Sequence, residues 1–210
     1  MQFEDALSTE RLSTYMAWAS QDSDVAKRLY GLNVALSEAL YTPLHVLEIT
    51  LRNGVHRQMV AVHGNGWFAN NQLISDLYQQ RRVQDAYQRF GQGAPDGKIV
   101  AELTFGFWTA LFTPRNSTLW GDLHPIFNSP VQRRPISRRL QAIRTLRNRI
   151  AHHEVIIKDD LLTTHQEMRE IIGWLSADAL VWCDERCRFQ AIHPQMPIIV
   201  GNLKNPALQF

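Results

Sequence analysis

An all-α helical bundle is the fold this sequence predicts, and three observations carry it. Apolar residues recur with a helical period along most of the 210 positions, and no convincing run of strand-like alternation interrupts them. Breakers fall at helix-length intervals, at Gly64 and Gly66, through the Gly-rich loop 91–97, and between Pro130 and Pro135. With 45% apolar residues, six Trp and nine Phe, the chain has enough material for a sizeable core, which excludes disordered, collagenous and disulfide-stapled classes.

The elements follow in order. Ser8 or Thr9 opens a first helix to about Ser20, and Ser23 with Asp24 caps a second to about Leu40. Pro43 then starts a third, in which Leu44, Leu47, Leu51 and Val55 form a core stripe and Glu48 and Arg52 are spaced for an i,i+4 pair. Segment 71–90 reads as an amphipathic helix. The almost wholly apolar 98–112 belongs in the core, and its Phe105, Phe107 and Trp108 suit either the core or a subunit interface. After a short piece ending near Phe127, an arginine-rich helix with Pro135 in its first turn runs to about Glu154. Helices over about 159–175 and 177–186 follow. The organisation predicted is an N-terminal helix over 1–22, a helical domain over 23–187, and an irregular tail over 188–210 packed on that domain, irregular because of Pro194, Pro197 and Pro206.

Charge is distributed unevenly. Seven of the chain's 22 basic residues, all arginines, lie between Arg133 and Arg149 without one acid, leaving a remainder in which the 20 acidic residues outnumber the basic ones. Planar guanidinium forks favour phosphate contacts, so a polyanionic partner is one reading. Pairing of these arginines with acids on neighbouring helices is the other. No apolar run approaches a membrane span, and the opening MQFEDALSTE is acidic where a signal peptide would be basic and then apolar. Together with only two cysteines, Cys183 and Cys187, this predicts a chain kept in a reducing cytoplasm without membrane contact. Two thiols four residues apart suit core packing better than zinc, so no metal and no cofactor are expected.

The most informative stretch is LRNRIAHHE, 146–154. On a helix, Ile143, Leu146 and Ile150 form an apolar stripe, with Asn148 and His152 on the opposite face and Arg147 able to reach toward them. A histidine titrating near neutrality, an amide and a guanidinium are the parts needed to cleave a phosphodiester without a metal. Arg147 to His152 matches the R-polar-x3-H form of the Rx4-6H motif of HEPN ribonucleases. The whole string resembles the Abi-like (abortive infection, AbiD/AbiF-type) branch of that superfamily. YTPLHVLEITLRN, 41–53, resembles the family's LE-x3-RN helix, and ELTFGFWTALF, 102–112, its LTFG-containing helix, so the resemblance spans roughly 24–180 in matching order. Arg57 with His63, and Arg186 or Arg188 with His193, satisfy the bare spacing too. Of the three Arg-Asn pairs, at 52, 115 and 147, only the last has His five positions after its Arg.

The resemblance implies a HEPN-like bundle with additional helices forming a symmetric dimer. It implies a metal-independent endoribonuclease that leaves 2′,3′-cyclic phosphate and 5′-hydroxyl ends, serving as a toxin or antiviral effector on tRNA, mRNA or rRNA. An antitoxin protein or a regulatory non-coding RNA would restrain it. On that model His152 moves protons, Arg147 binds the scissile phosphate and Asn148 orients the site. Arg144 and Arg149 would hold the RNA backbone; Glu48, Arg52 and Asn53 would enter from the facing helix or serve as half-buried structural contacts. His153 would either assist or merely cap the helix, and Arg147 could instead pair with Glu154 or Glu48. The competing class is a non-catalytic RNA-binding or protein-interaction module.

Overall fold

The computed structural model describes residues 6–194 and the backbone of 198–200 and 203–205. Ser8 opens α1 (Thr9–Trp18) by accepting the Arg11 N–H at 3.4 Å. Tyr15 carries this helix onto its neighbour, packing edge-on against Trp18 and Tyr30 with centroids 5.8 and 5.5 Å away. Asp22, rather than Ser23, caps α2 (Ser23–His63), taking the N–H groups of Asp24 and Val25 on one carboxylate oxygen.

The second and third helices expected from the sequence are one helix of 41 residues, with Pro43 inside it. A proline there removes one intrahelical bond and costs about 3 kcal/mol in an exposed helix. Leu29, Asn33, Leu36, Leu40, Leu44, Leu47, Leu51, Val55 and Met59 nevertheless form one unbroken buried stripe across it. Each such aliphatic side chain gains roughly 1.5–3 kcal/mol on burial, so continuing the stripe outweighs the defect.

Beyond a 3-10 turn at Trp67–Ala69, α3 (Leu77–Phe90) starts six residues later than the periodicity suggests, because the Asp76 carboxylate caps it. The apolar segment is split into α4 (Asp96–Glu102) and α5 (Phe105–Ala110). At the break the Trp108 indole donates to the Leu103 carbonyl at 3.1 Å, satisfying an acceptor the interrupted helix leaves open. Phe105, Phe107 and Trp108 are fully buried, in the core and not at a surface. The 3-10 turn Pro114–Leu119, α6 (Trp120–Leu123) and another 3-10 turn at His124–Ile126 lead to α7 (Arg133–Ala151), then α8 (Leu161–Leu175), α9 (Ala177–Arg186) and α10 (Phe189–Ile192).

The tail departs from the expected irregularity. Besides α10, Ile198–Val200 (β1) pairs antiparallel with Leu203–Asn205 (β2), Ile199 opposite Lys204. Two runs separated by Gly-Asn are a hairpin pattern, which the prolines on either side obscure. Among the described residues the protein is otherwise all-α. Helices α1 and α8 pack on α2, and α7 lies between α5 and α8. Among the described residues no helix is long and apolar enough to cross a membrane.

The face between α2, α8 and α10 buries a histidine. His165 stacks on Phe189 at 4.3 Å between centroids and lies 3.4 Å from the Cys187 sulfur. Burial, with the nearby Arg169 charge adding to it, drives its pKa from 6.5 to about 4. Burial likewise lifts the Cys183 thiol to about 11. The unfolded chain therefore binds a proton at His165 that the folded chain refuses, so stability is full above pH 6.5 and declines as the pH falls from there toward about 4. The expected loss is up to about 3 kcal/mol, visible as a falling Tm across that window. His165→Phe should flatten that fall.

Candidate functional site

Only part of the arginine-rich helix is free to meet a ligand. Arg139 bridges to Glu167 at 3.2 Å and Glu170 at 2.8 Å and lies over the Trp174 ring, bolting α7 to α8. Arg133 donates to the Phe112 carbonyl at 3.3 Å. Arg149, expected at the RNA backbone, is instead a structural clamp. Its guanidinium is held by Asp159 and the Val155 carbonyl, with Glu154 at 3.4 Å. Burial raises the Asp159 carboxyl pKa even though Arg149 opposes the shift. Arg134, Arg138 and Arg144 have no ion pair or hydrogen bond to other described residues. Pairing with acids thus accounts for three of the seven arginines, closely for Arg139 and Arg149 and loosely for Arg147, and leaves a cationic face.

That face runs along one side of α7. Arg134, Arg138, Gln141, Thr145, Asn148 and, just beyond the helix, His152 are all exposed at alternating spacings of four and three, while Ile136, Leu140, Ile143 and Leu146 are buried on the other side. Arg144 and Arg147, half-buried, flank this strip and line a groove of about 680 Å³ with Asn148 and Gln141. The rest of its lining comes from the starts of α3 and α5 and from the 3-10 turn at Pro114–Leu119, and includes Asp76, Tyr78, Thr104 and Arg115. Arg144 lies against Gly106 of the LTFG segment, with Nη1 3.7 Å from where a β-carbon would stand. Arg147 Nε is 3.8 Å from a Glu48 carboxylate oxygen, a loose contact between two partly exposed groups. Glu48 therefore faces α7 and does not pair with Arg52, which donates to the neighbouring Asn53 at 3.3 Å and lies outside the lining of this groove.

The motif divides at the end of the helix. α7 stops at Ala151, short of Glu154, because His153 takes a left-handed conformation with φ 56°. Its N–H donates to the Ile150 carbonyl at 3.0 Å and the Glu154 N–H to the Arg149 carbonyl at 2.9 Å, the paired bonds of a Schellman cap. His153 thus closes the helix through its backbone. Glycine occupies this conformation without strain, so His153→Gly should raise stability by about 1 kcal/mol and Tm by a few degrees, while a β-branched residue there should lower both.

Beyond the cap, His152 and His153 line a second groove, of about 470 Å³, together with Ser8, Arg11, Thr14 and Lys158. Arg11 reaches from α1 to donate to the His153 carbonyl at 2.6 Å. Arg147, Asn148 and Arg144 therefore share one groove, and His152, exposed, opens into another.

Two structural contributors escape the motif reading. Arg11 lies far away in sequence and nothing local announces it. Asn33 is a polar residue within the buried stripe of α2, a signal that could have been followed. Its Oδ1 accepts the N–H groups of Ile156 at 2.8 Å and Ile157 at 3.3 Å, and its Nδ2 donates to the Glu154 carbonyl at 3.3 Å. It thereby fixes the strand of chain that follows the histidines. Among the described residues no group of three or more His, Cys, Asp or Glu is placed to hold a metal ion.

Compared with known proteins, the chain matches no family model, no curated protein and no solved structure.

Proposed function

We propose that the protein is an endoribonuclease of the HEPN kind, cleaving RNA by attack of a ribose 2′-hydroxyl on the adjacent phosphorus. The observation that supports this most is the groove in which the unpaired Arg144 and the loosely held Arg147 stand beside Asn148. A half-buried guanidinium without a carboxylate partner, as at Arg144, favours an anion, and a second one a helical turn away at Arg147, held by Glu48 only at 3.8 Å, suits the same phosphodiester. In the reaction the 2′-oxygen forms a bond to phosphorus as the bond to the 5′-oxygen breaks. One proton leaves the 2′-hydroxyl and another reaches the departing oxygen. His152 exchanges these protons, Arg147 offsets the charge that builds on the phosphoryl oxygens, Arg144 holds the RNA backbone beside it, and Asn148 orients the group.

Arg147 and His152 line different grooves of one chain, so this reading joins them in a dimer, Arg147 of one copy acting with His152 of the other. The biological setting in this reading is a toxin or antiviral effector in the cytoplasm, restrained by an antitoxin protein or a regulatory RNA. The same separation favours a second reading, an RNA-binding module that does not cleave. Incubating the purified protein with total RNA in EDTA and mapping the ends of any fragments decides between them. Fragments with 2′,3′-cyclic phosphate and 5′-hydroxyl ends support the nuclease; intact RNA that co-purifies with the protein supports the binding module.

A further inference from the structure

The groove beside Arg144 has a second wall whose chemistry differs from the first. Tyr78, second residue of α3, lines it and is 60% exposed, with Leu77, 78% exposed, next to it.

Its backbone, by contrast, is held firmly. Asp76 Oδ1 accepts the Tyr78 N–H at 2.9 Å and the Gln79 N–H at 3.2 Å, and the other carboxylate oxygen is held by Arg115, whose hydrogen bond keeps the Asp76 pKa below its usual range. Gln79, fully buried, donates to the Phe107 carbonyl at 3.1 Å and accepts from Asn116 at 2.9 Å. The Arg82 guanidinium lies 5.2 Å from the Tyr78 ring centroid and steadies one face of it. The ring is thus an exposed platform on a fixed support, across a groove from Arg144, Arg147 and Asn148.

We propose that Tyr78 is a stacking platform for an unpaired nucleobase, so that this groove takes single-stranded RNA and rejects duplex. The inference rests on the reading that the groove binds RNA. With a phosphate at Arg144 and Arg147, the attached base crosses toward α3 and lies on the free face of Tyr78, with Leu77 at its edge. Gln141, Thr104 and Thr113 line the same groove and offer donors and acceptors to the base. Bases in an A-form duplex are stacked on one another and turned inward, so the ring has no face to meet. Stacking on an aromatic side chain is strong and largely indifferent to base identity. The groove therefore selects strandedness more than sequence.

The test measures binding, not cleavage, using the full chain carrying His152→Ala and a fluorescently labelled oligoribonucleotide in EDTA. Three forms of the oligonucleotide are compared: single-stranded, annealed to its complement, and single-stranded with abasic positions. Adding Tyr78→Ala should weaken binding of the intact single strand by about tenfold or more and leave the abasic and duplex forms unchanged. Tyr78→Phe should bind like the parent. The parent should bind the single strand well above the duplex, and Arg144→Ala should weaken the intact and abasic single strands alike and reduce their salt dependence, a change Tyr78→Ala should not produce. The exposed position of Tyr78 predicts an unchanged Tm for its variants, which serves as the folding control.

If Tyr78→Ala binds the intact single strand as tightly as the parent while Arg144→Ala does not, the platform is refuted and the RNA reading survives. Equal weakening of duplex and single strand by Tyr78→Ala also refutes it. If the parent binds none of the three, both fall together.

Discussion

Replacing His152 with alanine should abolish RNA cleavage while leaving RNA affinity almost intact. A positioned general acid or base contributes about 10²–10⁴-fold, and a loss in that range is expected in single-turnover cleavage assays. His152 is exposed and its side chain anchors nothing in the fold, so Tm should not move. Arg144→Ala should behave in the opposite way, weakening binding first, because its unpaired guanidinium meets phosphate rather than the reacting proton. Arg147→Ala should lose both, since it sits in the groove and offsets transition-state charge.

The separation of Arg147 from His152 makes a sharper experiment possible. Mixed in equal amounts and allowed to exchange subunits, His152→Ala and Arg147→Ala should regain about a quarter of wild-type activity. Half the dimers then pair unlike chains, and each of these has one intact site of two. Two inactive proteins that stay inactive on mixing would rule out a site shared between chains. A strictly monomeric protein that still cleaves would do the same.

The largest effect on stability should come from Asn33. It is buried at 4% exposure and satisfies three backbone groups of the segment after the motif. Asn33→Ala takes the acceptor from the buried Ile156 N–H and the donor from the Glu154 carbonyl, and opens a small cavity. Unpaired buried polar groups cost roughly 1–3 kcal/mol each, so a loss of about 3 kcal/mol or more is expected, read as a fall in Tm of about ten degrees. Asn33→Leu fills the space but makes no hydrogen bond. If the bonds matter, it should be as damaging as alanine; if it restores stability, the loss was one of volume. Because the segment 154–157 follows directly on His152 and His153, whatever cleavage exists should decline with Asn33→Ala even where the protein remains folded.

By itself, the sequence determined the helical class, the apolar faces of the helices and the polar face on which Asn148 and His152 lie. Those features depend on local period, and burying an amphipathic stripe rewards whatever the spacing of apolar residues already dictates. Boundaries and partners were decided in three dimensions. Pro43 became an interior residue because a continuous buried stripe on α2 outweighs one missing hydrogen bond. Segment 98–112 broke at Leu103 because the Trp108 indole could cap the freed carbonyl. Arg139 and Arg149 look alike with Arg144 in the sequence. Carboxylates brought in by α8 and by the chain after α7 made clamps of the first two and left Arg144 open to a ligand, because a guanidinium binds the anion that folding places nearest. The split of Arg147 from His152 was partly legible, since five residues on a helix turn two side chains about 140° apart. What folding added is the second groove itself, because α1 arrives beside the turn at His153 and its Arg11 holds that turn from the far end of the sequence.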